Sequence, residues 1–599
     1  MRLPEWWTVP VWRRLNNLKV GLDSGLLTLR LSKFGAILHS LDRGGGSVLR
    51  AQFPEFTLQS LPLQLDLSYS STVHGRANGD VALDNNWCQK ARTCRAFREP
   101  ALDILWKELH NLSPLVRCLP KALSPNIKHY FQYSFSRRLT QIDWDILQSY
   151  TRRIRSITDF ENFGIDKKSV KILSCPPTTE LLFPNVCSQI YEGSGSTPYL
   201  LRLAFPSLIS LDVKLGNPRL LPLWFQDSLA SLPDSSPNVE HLSFHDFNFA
   251  FGEMVSSWIC RWRNLHTVDC PNTSLDMDAL THLSRMPALT QLAFRQIITL
   301  PNCTSPLLFS NLSTLELHPT FFSLIPQLLS RLLLPAIKNL DLTIDSCPSR
   351  QELSSFFAAV RTSNADNTIE RLSLRESSSL GGIFDEESPL LSLADLRPCT
   401  AFINLHRIHI DIGWDVGLTD NDLLALASAW PNLENLAINE GWGWNTVDDG
   451  ITPNGLLQIL QTCPSLSLVA IAMDTRGYTE LPPATLGFTL PYHFSIDVLD
   501  SVIEEESVPA VAAFFTAMNH SPDVSFNAWS GIDMTEAPDW EVYQDRWHEF
   551  NVMMQRLFRS YSTHRVWTSV RTHAKSTFSP TSGQGLREPG RTGMTDDVN

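Results

Sequence analysis

The stretch that decides the fold of this chain is Pro431-Asn432-Leu433-Glu434-Asn435-Leu436-Ala437-Ile438. Its last two apolar residues, Leu436 and Ile438, are two positions apart and so project to the same face of a short strand. Ten copies of this motif follow one another at intervals of 23 to 36 residues. Because one such unit cannot bury its apolar face alone, the repetition predicts a solenoid of stacked units. The first apolar positions of the ten copies are Leu208, Val239, Leu265, Leu289, Leu312, Ile337, Ile369, Leu405, Leu433 and Leu466.

Helix-like runs precede several of these strands. The run 422–430 has Asn421 as a candidate N-cap and Pro431 as its stop, so each unit is predicted as strand, loop, helix and turn. The pattern resembles leucine-rich repeats of the irregular, helix-rich kind. That resemblance implies an α/β solenoid, a curved stack with parallel strands on the concave side and helices on the convex side. The alternative is an ordinary doubly wound α/β domain, which ten copies of one motif disfavour.

Composition narrows the class of protein. The chain has 599 residues, 43% hydrophobic and 19% charged, with a formal net charge of −13, which argues against nonspecific nucleic-acid binding. No run of eighteen apolar residues predicts a membrane span, and the first residues lack the pattern of a signal peptide. The eleven cysteines show no metal-binding spacing. We therefore expect reduced thiols, no metal or other cofactor, no nucleic-acid or membrane partner, and a cytoplasmic or nuclear location.

Residues 94–106, Cys-Arg-Ala-Phe-Arg-Glu-Pro-Ala-Leu-Asp-Ile-Leu-Trp, resemble the C-terminal half of an F-box. We predict two short helices here, separated by a turn at Glu99-Pro100. In the F-box family such helices dock on a Skp-type adaptor, which links them to a cullin ubiquitin ligase. An N-terminal helical cap of the solenoid is the alternative. The residues to which the resemblance assigns adaptor binding are Cys94, Phe97, Pro100, Leu102, Leu105 and Trp106.

An F-box followed by leucine-rich repeats resembles the fungal-type F-box proteins with irregular leucine-rich repeats. The sequence departs from that family where the first F-box helix is expected, because residues 72–84 contain Gly75, Asn78 and Gly79 and favour no helix. The predicted organisation is a poorly ordered extension (1–86), degenerate F-box-like helices (87–125), a helical, degenerate-repeat lead-in (126–205), the leucine-rich-repeat solenoid (206–500), a C-terminal cap with an amphipathic helix (501–558) and a disordered tail (559–599).

No catalytic motif is present: the chain has no phosphate-binding loop, Gly-x-Ser-x-Gly elbow or His-Glu-x-x-His sequence. We therefore predict that the protein is not an enzyme. Polar residues that flank the inward apolar pairs are predicted to face the concave side, acidic in the first part and arginine-rich in the next. Such a surface would orient a charged partner, unless the charges pair among themselves. The predicted contacts are Asp269, Glu316, Asp341, Arg371, Arg375, Arg407 and His409.

Three tryptophans follow the eighth and ninth strands. Gly441 and Gly443 predict a mobile loop around Trp442 and Trp444, and Trp414 occupies the equivalent place one repeat earlier. Tryptophan is the residue most enriched at interface hot spots, so we expect the three to line one rim and contact a partner. The alternative is that they pack on one another as a local core.

Together these features predict a non-catalytic substrate-recognition subunit of an SCF-type (Skp–cullin–F-box) ubiquitin ligase. The F-box-like helices would hold the adaptor, and the repeats would bind a target protein that the sequence does not name. A leucine-rich-repeat interaction scaffold that no longer binds the adaptor is the alternative.

Overall fold

The computed structural model describes residues 95–119, 123–125, 133–159, 167–173, 175–176, 181–193, 205–215, 229–246, 251–295, 306–363, 368–377, 389–445, 450–479, 494–518, 525–529 and 540–577. Two compact units are distinguished, Met1–Asp80 and Val81–Asn599, and all described residues belong to the second. The predicted poorly ordered extension, 1–86, lies outside the described residues, as does Cys94.

One long parallel sheet organises the described part of the chain. Its fifteen strands follow one another in chain order, and every neighbouring pair in it is parallel. This confirms the predicted α/β solenoid with leucine-rich-repeat-like architecture. The strands are β1 (Glu108–Leu109), β4 (Ser156–Asp159), β5 (Ser188–Gly193), β6 (Ser210–Leu215), β7 (His241–Asp246), β8 (Thr267–Ser274), β9 (Gln291–Arg295), β11 (Thr314–His318), β13 (Asn339–Ile344), β14 (Arg371–Glu376), β16 (Arg407–Asp411), β18 (Asn435–Ile438), β19 (Leu468–Ala470), β20 (Ser495–Asp497) and β21 (Ser525–Asn527).

Six shorter strands form pairs outside that sheet. They are β2 (Leu123–Pro125) with β3 (Tyr133–Phe135), β10 (Leu307–Leu308) with β12 (Leu332–Leu333), and β15 (Leu390–Leu391) with β17 (Asp415–Val416).

The apolar pairs of the repeat are aligned across the sheet. Leu340 of β13, for example, lies beside Leu315 of β11 and Leu372 of β14, and all three are buried. Strands such as β13, β11 and β6 alternate buried apolar residues with partly exposed polar ones, because successive side chains point to opposite faces. The apolar face therefore packs against the helical layer, and the polar face is left on the concave side.

The helices form the convex layer. Thr419 rather than the predicted Asn421 caps the helix Asp420–Ala429, because Thr419 and Asp422 exchange capping-box hydrogen bonds. The helices are α1 (Arg95–Leu105), α2 (Ser113–Arg117), α3 (Gln141–Thr151), α4 (Lys167–Leu173), α5 (Leu232–Ser235), α6 (Gly252–Arg261), α7 (Met277–Ser284), α8 (Ile325–Leu329), α9 (Arg350–Thr362), α10 (Leu393–Leu396), α11 (Asp420–Ala429), α12 (Pro453–Thr462), α13 (Val508–Met518) and α14 (Trp540–Thr577), with 3₁₀ turns at Phe322–Leu324 and Arg397–Ala401.

The sheet is longer than the predicted solenoid of residues 206–500. It begins at Glu108, and the two weak repeats of the lead-in form β4 and β5. Gln189 occupies an apolar position of β5 and is buried there. At the other end β21 pairs with β20, so the sheet continues into the predicted cap. Gln189 breaks the apolar pattern of its repeat, yet β5 still pairs with β4 and β6, because a buried polar side chain does not prevent backbone pairing.

The two ends of the described chain also differ from prediction. Helix α1 is continuous through Pro100, with no turn at Glu99-Pro100, although an interior proline removes one backbone donor and disfavours a helix. Helix α14 buries Trp547, Phe550 and Met554 and continues to Thr577, well past residue 558. No proline or glycine interrupts 540–577, so the segment 559–577 of the predicted disordered tail is helical instead.

Candidate protein-binding surface

Concave side chains form three rows that cross the strands, because in-register parallel strands place equivalent residues side by side, about 4.8 Å apart. From β6 onward the first row is Ser210, His241, Thr267, Gln291, Thr314, Asn339, Arg371, Arg407 and Asn435. The middle row is Asp212, Ser243, Asp269, Ala293, Glu316, Asp341, Ser373, His409 and Ala437. The third row includes Lys214, His245, Arg295, His318, Thr343, Arg375 and Asp411.

Three acidic middle-row residues each lie close to a histidine or lysine of the third row. A carboxylate oxygen of Asp269 lies 3.6 Å from His245 Nε2, and Glu316 Oε1 lies 2.8 Å from His318 Nε2. Asp212 is likewise 3.6 Å from the Lys214 ammonium. The predicted alternative, in which the concave charges pair among themselves, therefore holds in part. The Asp269 pair joins β8 to β7, whereas the Glu316 and Asp212 pairs lie within β11 and β6. Asp269 and Glu316 nevertheless stay accessible, with 50% and 38% of their side-chain surfaces exposed.

A groove of about 360 Å³ opens on the acidic half of this face. Its floor contains Ala293, whose middle-row neighbours on the two flanking strands are Asp269 and Glu316. First-row hydroxyl and amide side chains line one side. Burial raises the pKa of the next carboxyl along the row, Asp341, and the nearby Glu316 raises it further.

The arginine-rich half begins two strands beyond Glu316. Arg371 and Arg407 are in-register neighbours in the first row, and Arg375 follows in the third row. All three are exposed. The Nε of Arg407 lies 3.9 Å from a Glu434 oxygen, too far for a hydrogen bond. The predicted change of sign along the concave face is therefore present in the folded chain.

His409 lies in the middle row of this half, close to Arg375. Burial and the charge of Arg375 together lower the pKa of His409 to about 4. Glu440 is 3.7 Å from His409 Nε2, which is beyond hydrogen-bond distance and does not offset those two effects.

Stability should therefore depend on His409 in mildly acidic solution. A histidine of the unfolded chain has a pKa near ~6.5, so the folded state favours the neutral ring. The stabilisation is complete above that pH and is lost as the pH falls toward 4. Between pH 7 and 4.5 the free energy of unfolding of the natural chain should fall by about 1 to 2 kcal/mol more than that of His409→Gln, after allowance for solvent screening. Urea denaturation at both pH values measures this difference; equal losses would contradict it.

Two of the three rim tryptophans are not available to a partner. Trp414 and Trp444 are each 1% exposed, and their indole N–H groups donate to the carbonyl oxygens of Pro348 and Ile438 at 3.1 and 2.8 Å. Only Trp442 is partly exposed. The prediction of a three-tryptophan contact rim was wrong for Trp414 and Trp444, because the loops that follow the strands fold back over the end of the apolar core.

The loop that carries Trp442 and Trp444 is held by two carboxylates, Asp411 and Asp500, which sequence analysis did not single out as a pair. Asp411 accepts the Gly441 N–H at 2.9 Å, and Asp500 accepts the N–H groups of Trp444 and Asn445 at 2.8–3.0 Å. Burial raises the pKa of both carboxyls, and these N–H bonds oppose the rise. Gly443 has φ +77, and a Cβ there would approach the Asp500 carboxylate to 2.9 Å. The glycines therefore permit close approach of the backbone, rather than the predicted mobility.

The residues predicted to bind the adaptor differ in burial. Pro100 is exposed on α1, whereas Leu102 and Leu105 are half-buried against the core of the solenoid. Trp106 is buried, with its ring 4.7 Å from that of Tyr150. Phe97 lies in α1, and its side chain is outside the described part. The prediction that Trp106 is an adaptor anchor conflicts with its burial, because its ring already packs inside its own chain.

Ion pairs also hold helix α1 in place. Arg153, just after α3, pairs with both Glu99 and Asp103 on α1. The apolar side of α1 packs Leu102 and Leu105 against the core, and its outer side presents Pro100 and the 40% exposed Ile104.

Within the described ranges, no group of three or more His, Cys, Asp or Glu side chains is arranged to hold a metal ion. None of the helices described there is long and apolar enough to cross a membrane.

No protein-family model matches this chain, and no curated protein matches it. Among solved structures, the chain is similar to one titled as the Rad7 and Elc1 complex in yeast, at 12% identity and a TM-score of 0.29 over 69% of this chain and 94% of the other. A structure titled as a TLR13–ssRNA13 complex matches at 11% identity and a TM-score of 0.27, over 69% of each chain. TM-scores this low support no argument about function.

Proposed function

We propose that this chain is a non-catalytic target-recognition protein, whose concave sheet face binds a segment of another protein. The observation that carries the proposal is the concave surface itself: accessible charged side chains arranged in rows around a groove of about 360 Å³. A fixed array of this kind orients a charged partner and speeds encounter with it. Five of the eight cysteines in the described ranges are buried or half-buried, and none of the eight forms a disulfide, which fits a reducing compartment, the cytoplasm or nucleus.

The finer form of the proposal is that the chain is the substrate receptor of an SCF-type ubiquitin ligase. Its support is the F-box-like sequence at 94–106, placed ahead of a leucine-rich-repeat solenoid. Adaptor docking would then use the outer side of α1, where Pro100 and Ile104 are exposed, and not Trp106. The second candidate, an adaptor-free scaffold, is favoured by the packing of Leu105 and Trp106 against the chain's own core.

Co-purification of the full chain with a Skp-type adaptor separates the two candidates. A ligase receptor should capture the adaptor in equimolar amount, and Ile104→Glu should reduce capture at least tenfold, because burying an unpaired charge in an apolar contact is strongly unfavourable. Ile142→Glu is the matched control, since Ile142 is 71% exposed on α3, outside the F-box-like element.

Absence of capture by a folded, soluble chain would reject the receptor and leave the scaffold. Equal loss of capture in Ile104→Glu and Ile142→Glu would place the docking surface elsewhere than on α1. Circular dichroism of both variants excludes misfolding, because neither side chain is buried.

A further inference from the structure

The rows of the concave face specify the chemistry of the segment that they recognise. Resting on the proposed target-binding function, we infer that the groove binds an extended peptide segment carrying an arginine or lysine and, four to five residues away, an aspartate or glutamate. The basic side chain enters above Ala293, and the acidic side chain reaches Arg371 and Arg407.

The basic position follows from the gap at Ala293. Its two neighbours in the middle row, Asp269 and Glu316, are two strand spacings apart, about 10 Å. Ala293 contributes only a methyl group between them, and this gap is part of the groove of about 360 Å³. A guanidinium or ammonium group placed there has a carboxylate on either side, and such charge-assisted hydrogen bonds are the stronger kind.

The existing partners of these carboxylates leave the gap open. His245 approaches Asp269 from β7, the neighbouring strand on the side away from Ala293, and His318 approaches Glu316 from the third row of its own strand. The groove is lined by the first and middle rows and so lies on the other side of the carboxylates. Asp341, next in the row beyond Glu316, adds a further carboxyl to this half. The groove therefore favours a cation.

The acidic position follows from two guanidinium groups placed side by side. Arg371 and Arg407 face each other in register on neighbouring strands, and like charges directly opposite in a sheet are destabilising. Both are exposed, and Glu434 approaches Arg407 only to 3.9 Å. A carboxylate between the two relieves this repulsion and accepts hydrogen bonds from both guanidiniums.

The spacing of the two charges follows from the strand order. From β9, which carries Ala293, the sheet passes through β11 and β13 to β14 and then β16. The midpoint of Arg371 and Arg407 is therefore about 17 Å from Ala293 across the strands. Because the first and middle rows are two residues apart, it is also about 6.6 Å away along them, which makes about 18 Å in all. An extended chain advances about 3.3 Å per residue, so about five residues cover that distance. The concave curvature shortens the path slightly, which gives four to five.

Selection from a random displayed library of twelve-residue peptides, with the full chain immobilised at pH 7.5, tests this inference. The enriched peptides should pair Arg or Lys with Asp or Glu at a separation of four to five residues, in one chain direction. Synthetic copies of the two most enriched peptides then provide dissociation constants by fluorescence anisotropy.

Three double variants test which side chains of the concave face bind the basic and the acidic residue of the peptide. Asp269→Asn with Glu316→Gln should weaken an enriched peptide at least tenfold and abolish the preference for its basic residue. Arg371→Gln with Arg407→Gln should do the same for the acidic residue. Glu253→Gln with Arg263→Gln, at exposed positions outside the rows, is the matched control and should leave affinity unchanged.

The outcomes separate this inference from the proposed function. Enriched peptides that lack the spaced charge pair, or whose affinity ignores the row variants, overturn the inference while leaving the concave face a binding surface. Failure to enrich any peptide overturns the inference and counts against target binding itself. Adaptor capture is unaffected by either result.

Discussion

Replacing Asn439 by alanine is expected to lower the free energy of unfolding by about 3 to 5 kcal/mol. Asn439 follows β18, is fully buried and has φ +54. Its side-chain amide donates to the Trp414 carbonyl at 2.6 Å and accepts the Ile412 N–H at 3.1 Å. Alanine would leave both buried backbone groups without a partner, and it adopts the left-handed region less readily than asparagine does. Chemical denaturation followed by circular dichroism measures the loss.

Two further variants separate these contributions. Asn439→Gly lacks the same hydrogen bonds but tolerates positive φ, so it should be about 1 kcal/mol more stable than Asn439→Ala. Asn435→Ala, at the half-exposed first position of β18, is the matched control and should cost less than about 1 kcal/mol. Similar losses for Asn435→Ala and Asn439→Ala would show that the bridge between the two repeats contributes little.

Replacing Trp444 by alanine is expected to cost about 4 kcal/mol of unfolding free energy. The indole is buried in the core, and its N–H donates to the Ile438 carbonyl at 2.8 Å. Its removal creates a cavity and leaves that buried carbonyl without its donor. Thermal unfolding of the purified variant, with chemical denaturation at 25 °C, measures the effect.

Trp442→Ala provides the comparison within the same loop. Trp442 is only partly buried, so its replacement should lower the free energy of unfolding by less than half the loss expected for Trp444→Ala. If Trp442 is a partner contact, its loss should weaken binding of an enriched peptide or target while leaving the unfolding midpoint nearly unchanged. Equal destabilisation by Trp442→Ala and Trp444→Ala would contradict the different burial of the two rings.

Burial divides the predicted sites into those that a partner can reach and those that belong to the fold. The concave charges were found from alternation alone, because a strand that buries one face exposes the other, and Asp269, Glu316, Arg371 and Arg407 all follow that rule. The tryptophans lie outside the strands, where no periodicity assigns a face. Because tryptophan is enriched at interfaces, all three were predicted to contact a partner. Only the packed loops of the structure show that Trp414 and Trp444 are interior.

The sequence by itself determined the repeated unit, the parallel sheet and the face that each strand residue occupies, because all three follow from local spacing repeated along the chain. The tertiary structure alone decided which charges lie side by side, since Asp269 and Glu316 are separated in sequence but flank Ala293 in register. It also decided that Trp106 packs inside its own chain and that Asp411 and Asp500 hold the loop after β18. Such contacts join distant residues through single side-chain geometries, which local spacing does not encode.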